Sequence, residues 1–218
     1  MLRHGLFVVM IALAACSHST TENDVVEFLK AKPADQRAQI VSKADGRVER
    51  TDVVRRGDKP LTLVGPTLDV GDAMPDVTLV DGKLEPIKLA ALKGKIVVLS
   101  VVPSIDTRVC ETQTHKISDA IAQMPAGVEV YTISRDLPFA QTRFAEEAMS
   151  KTKFASDYQA HELGRGFGLE VKESGLLARS VWVIGTDGKI AYRELVANQG
   201  SEPDYDALLA AVKRVAGG

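Results

Sequence analysis

Apolar residues follow two periodicities along this chain of 218 residues, and the switches between them mark out its elements. The run Ile96 to Val102, IVVLSVV, is short, continuous and rich in β-branched residues, the pattern of a strand covered on both faces. Beyond Cys110, residues Ile117, Ala120, Ile121 and Met124 return at helical spacing, which predicts an amphipathic helix with Cys110 in its first turn. VEVYTIS, Val128 to Ser134, predicts the next strand, and Asp136-Leu137-Pro138 opens a helix containing Phe139, Phe144 and Met149. A short helix is expected around His161 to Phe167. Ser180 to Ile184 reads as a core strand, Thr186-Asp187-Gly188-Lys189 as a turn, and Ile190 to Val196 as the returning strand. Asp204 caps a final helix whose Leu208, Leu209 and Val212 face the core.

Upstream, TDVVRRGDKPLTLVG places two β-like runs around Arg56-Gly57-Asp58-Lys59, a hairpin signature, and Val77 to Val80 with Asp81-Gly82 repeats strand and turn. The order β-α-β-α-β-β-α predicts an α/β protein of thioredoxin-like fold, a mixed central sheet flanked by helices, with an added N-terminal β-hairpin. This domain is expected over 51–218. Residues 16–50 are richer in Ser, Thr, Asp, Lys and Gln and read as a polar tether with marginal helices near Val25 to Leu29 and near Ile40 and Val41.

Residues 1–15 carry Arg3 followed by the apolar stretch GLFVVMIALAA, too short to span a bilayer, which is the pattern of an export signal. The ending Leu13-Ala14-Ala15-Cys16 resembles the bacterial lipoprotein box, which implies cleavage before Cys16 and acylation of that cysteine. The expectation is an exported protein, lipid-anchored on the periplasmic side of a bacterial membrane; Ser17 in place of an aspartate resembles lipoproteins sent to the outer membrane.

Composition narrows the function classes. A net charge of −2 and a pI near 6.1 provide no basic footprint, so nucleic acid is not an expected partner. His115 and His161 lack companions at ligand spacing, Trp182 reads as a core residue, and no phosphate-cradling glycine loop appears; no metal or cofactor is expected. The chain has two cysteines, and acylation of Cys16 would leave Cys110 as the one free thiol in an oxidising compartment. No C-x-x-C motif is present, which excludes a thioredoxin-like disulfide reductase.

A lone cysteine is often a small core hydrophobe, so its setting decides. PSIDTRVC, Pro103 to Cys110, places the thiol one turn after a threonine and behind an apolar strand. An ordinary cysteine thiol is only a few per cent ionised at neutral pH, and a helix N-terminus favours the reactive anion. Thr107 stands where it can serve as N-cap and aim its hydroxyl at an oxygen beside the sulfur, while Pro103 ends the strand and suits a shielding loop.

Four segments then resemble, in order, the thiol peroxidase branch of the peroxiredoxins over residues 51–216: PSIDTRVC, DLPFAQTRF at Asp136 to Phe144, GLLARSVWVI at Gly175 to Ile184, and EPDYDALL at Glu202 to Leu209. The resemblance implies a peroxide substrate and a homodimer. It makes Cys110 the peroxidatic nucleophile that becomes a sulfenic acid, Thr107 a hydrogen-bond partner of peroxide and thiolate, Pro103 a shield, and Arg179 the cation that stabilises charge as the O–O bond breaks. One position departs from the family: Ala145 stands where the resolving cysteine is common. A one-cysteine cycle is therefore implied, with an external thiol or thioredoxin-like protein as reductant and hydrogen peroxide or organic and lipid hydroperoxides as substrate. The other reading of the same departure is a peroxide sensor or scaffold that keeps the fold without turnover.

Overall fold

The computed structural model describes residues 39–42 and 48–217; the signal, Cys16 and the expected tether other than 39–42 and 48–50 lie outside them. Two sheets carry the architecture. The smaller contains β1 (Gln39–Ser42), β2 (Val48–Arg56), β3 (Lys59–Val64) and β9 (Glu170–Val171), in that order. The larger has seven strands, β11-β10-β6-β7-β8-β4-β5. Its members are β4 (Thr78–Val80), β5 (Pro86–Lys88), β6 (Val97–Val101), β7 (Glu129–Ser134), β8 (Lys153–Ser156), β10 (Ser180–Ile184) and β11 (Ile190–Leu195). Among the described residues, four α-helices accompany them: α1 (Arg108–Ala120), α2 (Pro138–Glu147), α3 (Glu162–Gly166) and α4 (Tyr205–Gly217).

The continuous apolar run becomes β6, which is buried at every position and lies between antiparallel β10 and parallel β7. Alternation divides its side chains between two cores. Val97, Leu99 and Val101 join Leu63, Ile133, Phe167 and Trp182 on one face, whereas Val98 meets Ile117 of α1 and Leu208 and Val212 of α4 on the other. Each large aliphatic or aromatic side chain withdrawn in this way contributes about 1.5–3 kcal/mol. Trp182 is a core residue as expected, edge-on to Phe167 with ring centroids 5.2 Å apart. Asp204 caps α4 by accepting the amide of Ala207 at 2.9 Å.

The mixed sheet, its flanking helices and the β2–β3 hairpin match the expected thioredoxin-like fold, and Gly57 turns the hairpin in a left-handed conformation. Three details differ from expectation. Ile40 and Val41 belong to a strand rather than a helix, because pairing with Arg50 and Glu49 supplies ladder partners that a short isolated helix lacks. Helix α2 stops at Glu147, and Met149 lies beyond it, exposed and at positive φ, so the apolar spacing that included it was not a buried stripe. Strands β5, β8 and β9 carry no clear period, being only two to four residues long.

Arg50 of β2 ties the two ends of this architecture. Its guanidinium donates to the Thr67 hydroxyl at 3.2 Å and to the carbonyl of Gly168 beyond α3. Gly168 has φ +63°, and a Cβ there would fall 1.9 Å from the Pro66 carbonyl oxygen, so only glycine allows this approach.

Candidate active site

Strand β6 delivers the chain to a loop, 102–107, that ends at the first turn of α1. Proline at 103 cannot extend the ladder, and Thr107 takes the extended N-cap conformation, φ −135° and ψ 140°, from which α1 begins. The loop is held by a carboxylate from the end of β7: Asp136 accepts the Ser104 hydroxyl and the Ile105 amide, both at 2.8 Å. Ile105 and Val102 thereby close over Cys110, with Ala140 and Phe144 of α2 and Phe154 of β8 packed against them.

Cys110 is fully buried, and two donors reach its sulfur. The Thr107 hydroxyl donates to Sγ at 2.9 Å, and Arg179 Nη2 donates at 3.3 Å. Thr107 thus occupies the expected N-cap position without side-chain capping of the helix, since its hydroxyl is turned to the sulfur instead. Arg179 is 69 residues from Cys110 in sequence, and sheet register brings it there. Antiparallel pairing sets Ser180 opposite Val101, so Arg179 emerges beside the point where the chain leaves β6 for the active loop. Pro103 is half-buried in that loop and is linked to the sulfur by the loop rather than by a hydrogen bond.

A polar scaffold aims the arginine. Its Nη1 donates to Gln113 Oε1 at 2.7 Å and its Nε to the Gln199 carbonyl at 3.1 Å, while the Gln199 side chain accepts the Arg179 amide. Gln113 is fixed in turn by donating to Ser100 Oγ at 3.0 Å, from the one polar position of β6. All of these residues are buried, where an arginine is tolerated because its donors are filled. Farther out, Glu202 is held below the ordinary carboxyl value by the Tyr205 hydroxyl and Lys116, with a smaller contribution from the Arg179 charge.

Sequence patterning alone singled out Cys110 and Thr107, the family motif added Arg179, and all three meet here. It missed Gln113, although a position three residues after Cys110 lies on the same helix face. It read Asp136 only as part of a helix opening. Gln199 carried no signal, because its role depends on a turn after β11 folding back on the start of β10.

A cavity of about 610 Å³ opens beside this centre, between the first turns of α1 and the face of α2. Ile105 and Thr107 are among its lining residues, and the Thr107 hydroxyl connects it to the buried sulfur by one hydrogen bond. Its floor includes Ala140 and Phe144, whereas Arg108, Glu111, Arg143 and Glu147 stand along it with charged groups. Among the described residues, no group of three or more His, Cys, Asp or Glu side chains could hold a metal ion, and no helix is long and apolar enough to cross a membrane.

Comparison with known proteins places these features. A family model described as Redoxin matches residues 69–209. A thiol peroxidase of Bacillus subtilis is 43% identical over 155 residues, covering 71% of this chain and 92% of the relative. A thiol peroxidase of Streptococcus pneumoniae is 44% identical over 155 residues, covering 71% of this chain and 94% of its own length. Among solved structures, a peroxiredoxin-like protein from Aquifex aeolicus aligns with a TM-score of 0.71 at 38% identity, over 76% of this chain and 96% of that one. A thiol peroxidase from Chromobacterium violaceum aligns with a TM-score of 0.64 over 74% of this chain and 95% of that one, and at 19% identity that likeness concerns the fold.

Proposed function

Because the chain belongs to the thiol peroxidase branch of the redoxin family, we propose that it reduces hydroperoxides through Cys110 in a one-cysteine cycle completed by an external thiol. Thiol-dependent peroxide reduction is the activity carried by its relatives' names; the finer reading rests on one observation. The sole cysteine among the described residues receives hydrogen bonds from Arg179 and from Thr107, which lines an adjacent cavity.

In the first half-reaction, the Cys110 thiolate attacks the terminal oxygen of ROOH. An S–O bond forms as the O–O bond breaks, the sulfur is oxidised to a sulfenic acid, and the leaving RO⁻ takes a proton to become ROH. Arg179 faces the charge that passes from sulfur to the leaving oxygen, and its planar fork serves two acceptors without losing its own charge. Thr107 supplies a hydroxyl that can switch between donating to sulfur and accepting from the peroxide. The apolar floor at Ala140 and Phe144 supports an organic hydroperoxide as substrate, alongside hydrogen peroxide. Ala145 on α2 offers no second thiol, so the sulfenic acid is reduced from outside the chain.

Steady-state consumption of cumene hydroperoxide with dithiothreitol tests this reading. Sustained turnover that disappears in Cys110→Ser is the expected result; consumption of a single equivalent followed by silence would overturn it in favour of a peroxide sensor or scaffold. The lipoprotein-like segment around Cys16 supports, as part of the same proposal, an exported protein anchored by lipid on the periplasmic side, and Ser17 supports the outer membrane as its destination. Metabolic labelling with a palmitate analogue should mark the wild-type chain and not Cys16→Ala. A homodimer completes the proposal, and sedimentation equilibrium measures it.

A further inference from the structure

The cavity beside Thr107 has a charged rim that a simple peroxide does not use. Arg108 and Glu111 stand on the α1 side, and Arg143 and Glu147 on the α2 side, so each wall carries both signs; Asp106, just before α1, adds a further carboxylate, and Asp136, which also lines the cavity, is occupied by Ser104 and Ile105. These charges are only loosely engaged with one another. Arg143 and Glu147 approach to 4.0 Å with side chains 73% and 71% exposed, and Glu111 comes no nearer than 3.9 Å to His115. Pairs this exposed hold each other weakly and are readily exchanged for a ligand. Arg108, in the first turn of α1, has no ion-pair partner among the described residues.

We propose that this rim is the binding site of the reductant, a low-molecular-weight thiol that carries both carboxylate and ammonium groups. The inference rests on the peroxidase reading and names the class of its second substrate. A purely anionic ligand would meet Asp106, Glu111 and Glu147, and a purely cationic one Arg108 and Arg143; a zwitterion can satisfy both signs. Arg108 and Arg143 offer planar forks matched to carboxylates. At about 610 Å³ the cavity lies in the range of small-molecule sites. Cys110 is fully buried behind Thr107, so a slender thiol entering the cavity is better placed than one mounted on a protein surface.

The chemistry balances without a further oxidant or reductant. The thiol R′SH attacks the sulfenyl sulfur of Cys110–SOH, forming an S–S bond and releasing water. A second R′SH attacks the R′ sulfur of the mixed disulfide, releasing R′SSR′ and returning the Cys110 thiolate and a proton. The alcohol product leaves before the thiol enters, so one cavity serves both half-reactions, peroxide on the apolar floor and thiol at the charged rim.

The test compares glutathione, which bears both kinds of charge, with uncharged dithiothreitol and with a thioredoxin as reductants of the full-length protein in the presence of cumene hydroperoxide. In the double variant Arg108→Ala/Arg143→Ala, the KM for glutathione should rise about 10- to 100-fold, the range for losing charge-assisted hydrogen bonds. Turnover with dithiothreitol and the single-turnover rate with peroxide should each change less than twofold, which also shows that the variant folds. An unchanged KM for glutathione, or an equal loss with dithiothreitol, overturns the proposal. Turnover supported only by thioredoxin overturns it as well while leaving the peroxidase reading intact, and failure of every reductant to sustain turnover defeats that reading itself. As an independent measurement, S-methylglutathione should bind the wild-type protein in calorimetry and bind the double variant at least tenfold more weakly; equal binding counts against the proposal.

Discussion

Arg179 and Arg50 are both withdrawn from solvent, with only 2% and 4% of their surfaces exposed, yet the fold gives them opposite uses. Arg179 has each of its three nitrogens placed, on the Gln199 carbonyl, the Gln113 amide oxygen and the Cys110 sulfur. Arg50 gives its two terminal nitrogens to Thr67 and Gly168 and leaves Nε without a hydrogen-bond partner. The surrounding charges differ too. Glu202 lies within electrostatic reach of Arg179, whereas burial, and then the like charge of Arg193, push Arg50 down to about 10. One arginine presents a fully organised cation to the Cys110 sulfur. The other is a partly satisfied strut between the small sheet and the turn after α3. Burial alone therefore does not mark a functional arginine; what its fork is aimed at does.

The largest effect that separates them is on chemistry. Arg179→Lys keeps a positive charge but loses the fork that bridges Gln113, Gln199 and sulfur, and should lower kcat/KM for peroxide by about 10²–10³. Arg50→Met should leave that constant within twofold. Stopped-flow measurement of Cys110 oxidation decides the matter, and a comparable loss in both variants would erase the distinction.

The next effect runs the other way. Arg50→Met strands the Gly168 carbonyl and should cost about 1–3 kcal/mol of folding stability, read as a lower urea midpoint at unchanged slope. A variant as stable as the parent would mean that relief from burying an incompletely bonded cation offsets the lost hydrogen bonds.

The smallest effect lies in the outer layer around Arg179. Burial first, then the hydrogen bond to Glu202, raise Tyr205 well above the ordinary tyrosine value of 10.0. A folded-state value above the unfolded one gives stability that is complete below pH 10 and is lost as pH rises beyond it. Tyr205→Phe should therefore make the fall in urea midpoint between pH 9 and pH 11 shallower. Tyr192, pushed up to about 12 mainly by burial, leaves a residual slope in the variant. Identical slopes in the two proteins would show that Tyr205 ionises without penalty.

Much of this was legible beforehand, for local reasons. The β-branched run of β6, the helical recurrence after Cys110 and the turn between β10 and β11 are encoded within windows of a few residues, as is the placing of Thr107 one turn before the thiol. The polar stripe of α1 was harder to read. Gln113, Thr114 and Ser118 are buried beside Cys110 and Ile117, so the inward face does not stand out as apolar. Nor does any property of Asp136 or Gln199 as residue types announce that one clamps the active loop and the other seats Arg179.

The chain's sequence by itself determined where the longer strands and helices begin, which thiol stands at a helix start, and that Ala145 supplies no second one. Tertiary structure decided what surrounds that thiol. Pairing Ser180 with Val101 carries Arg179 to Cys110, and packing α2 beside α1 forms the cavity with its two-signed rim. The reason is physical: periodicity and capping are satisfied by neighbours in sequence, but strand register and helix packing are selected by the burial and hydrogen bonding of the whole sheet, which no local segment contains.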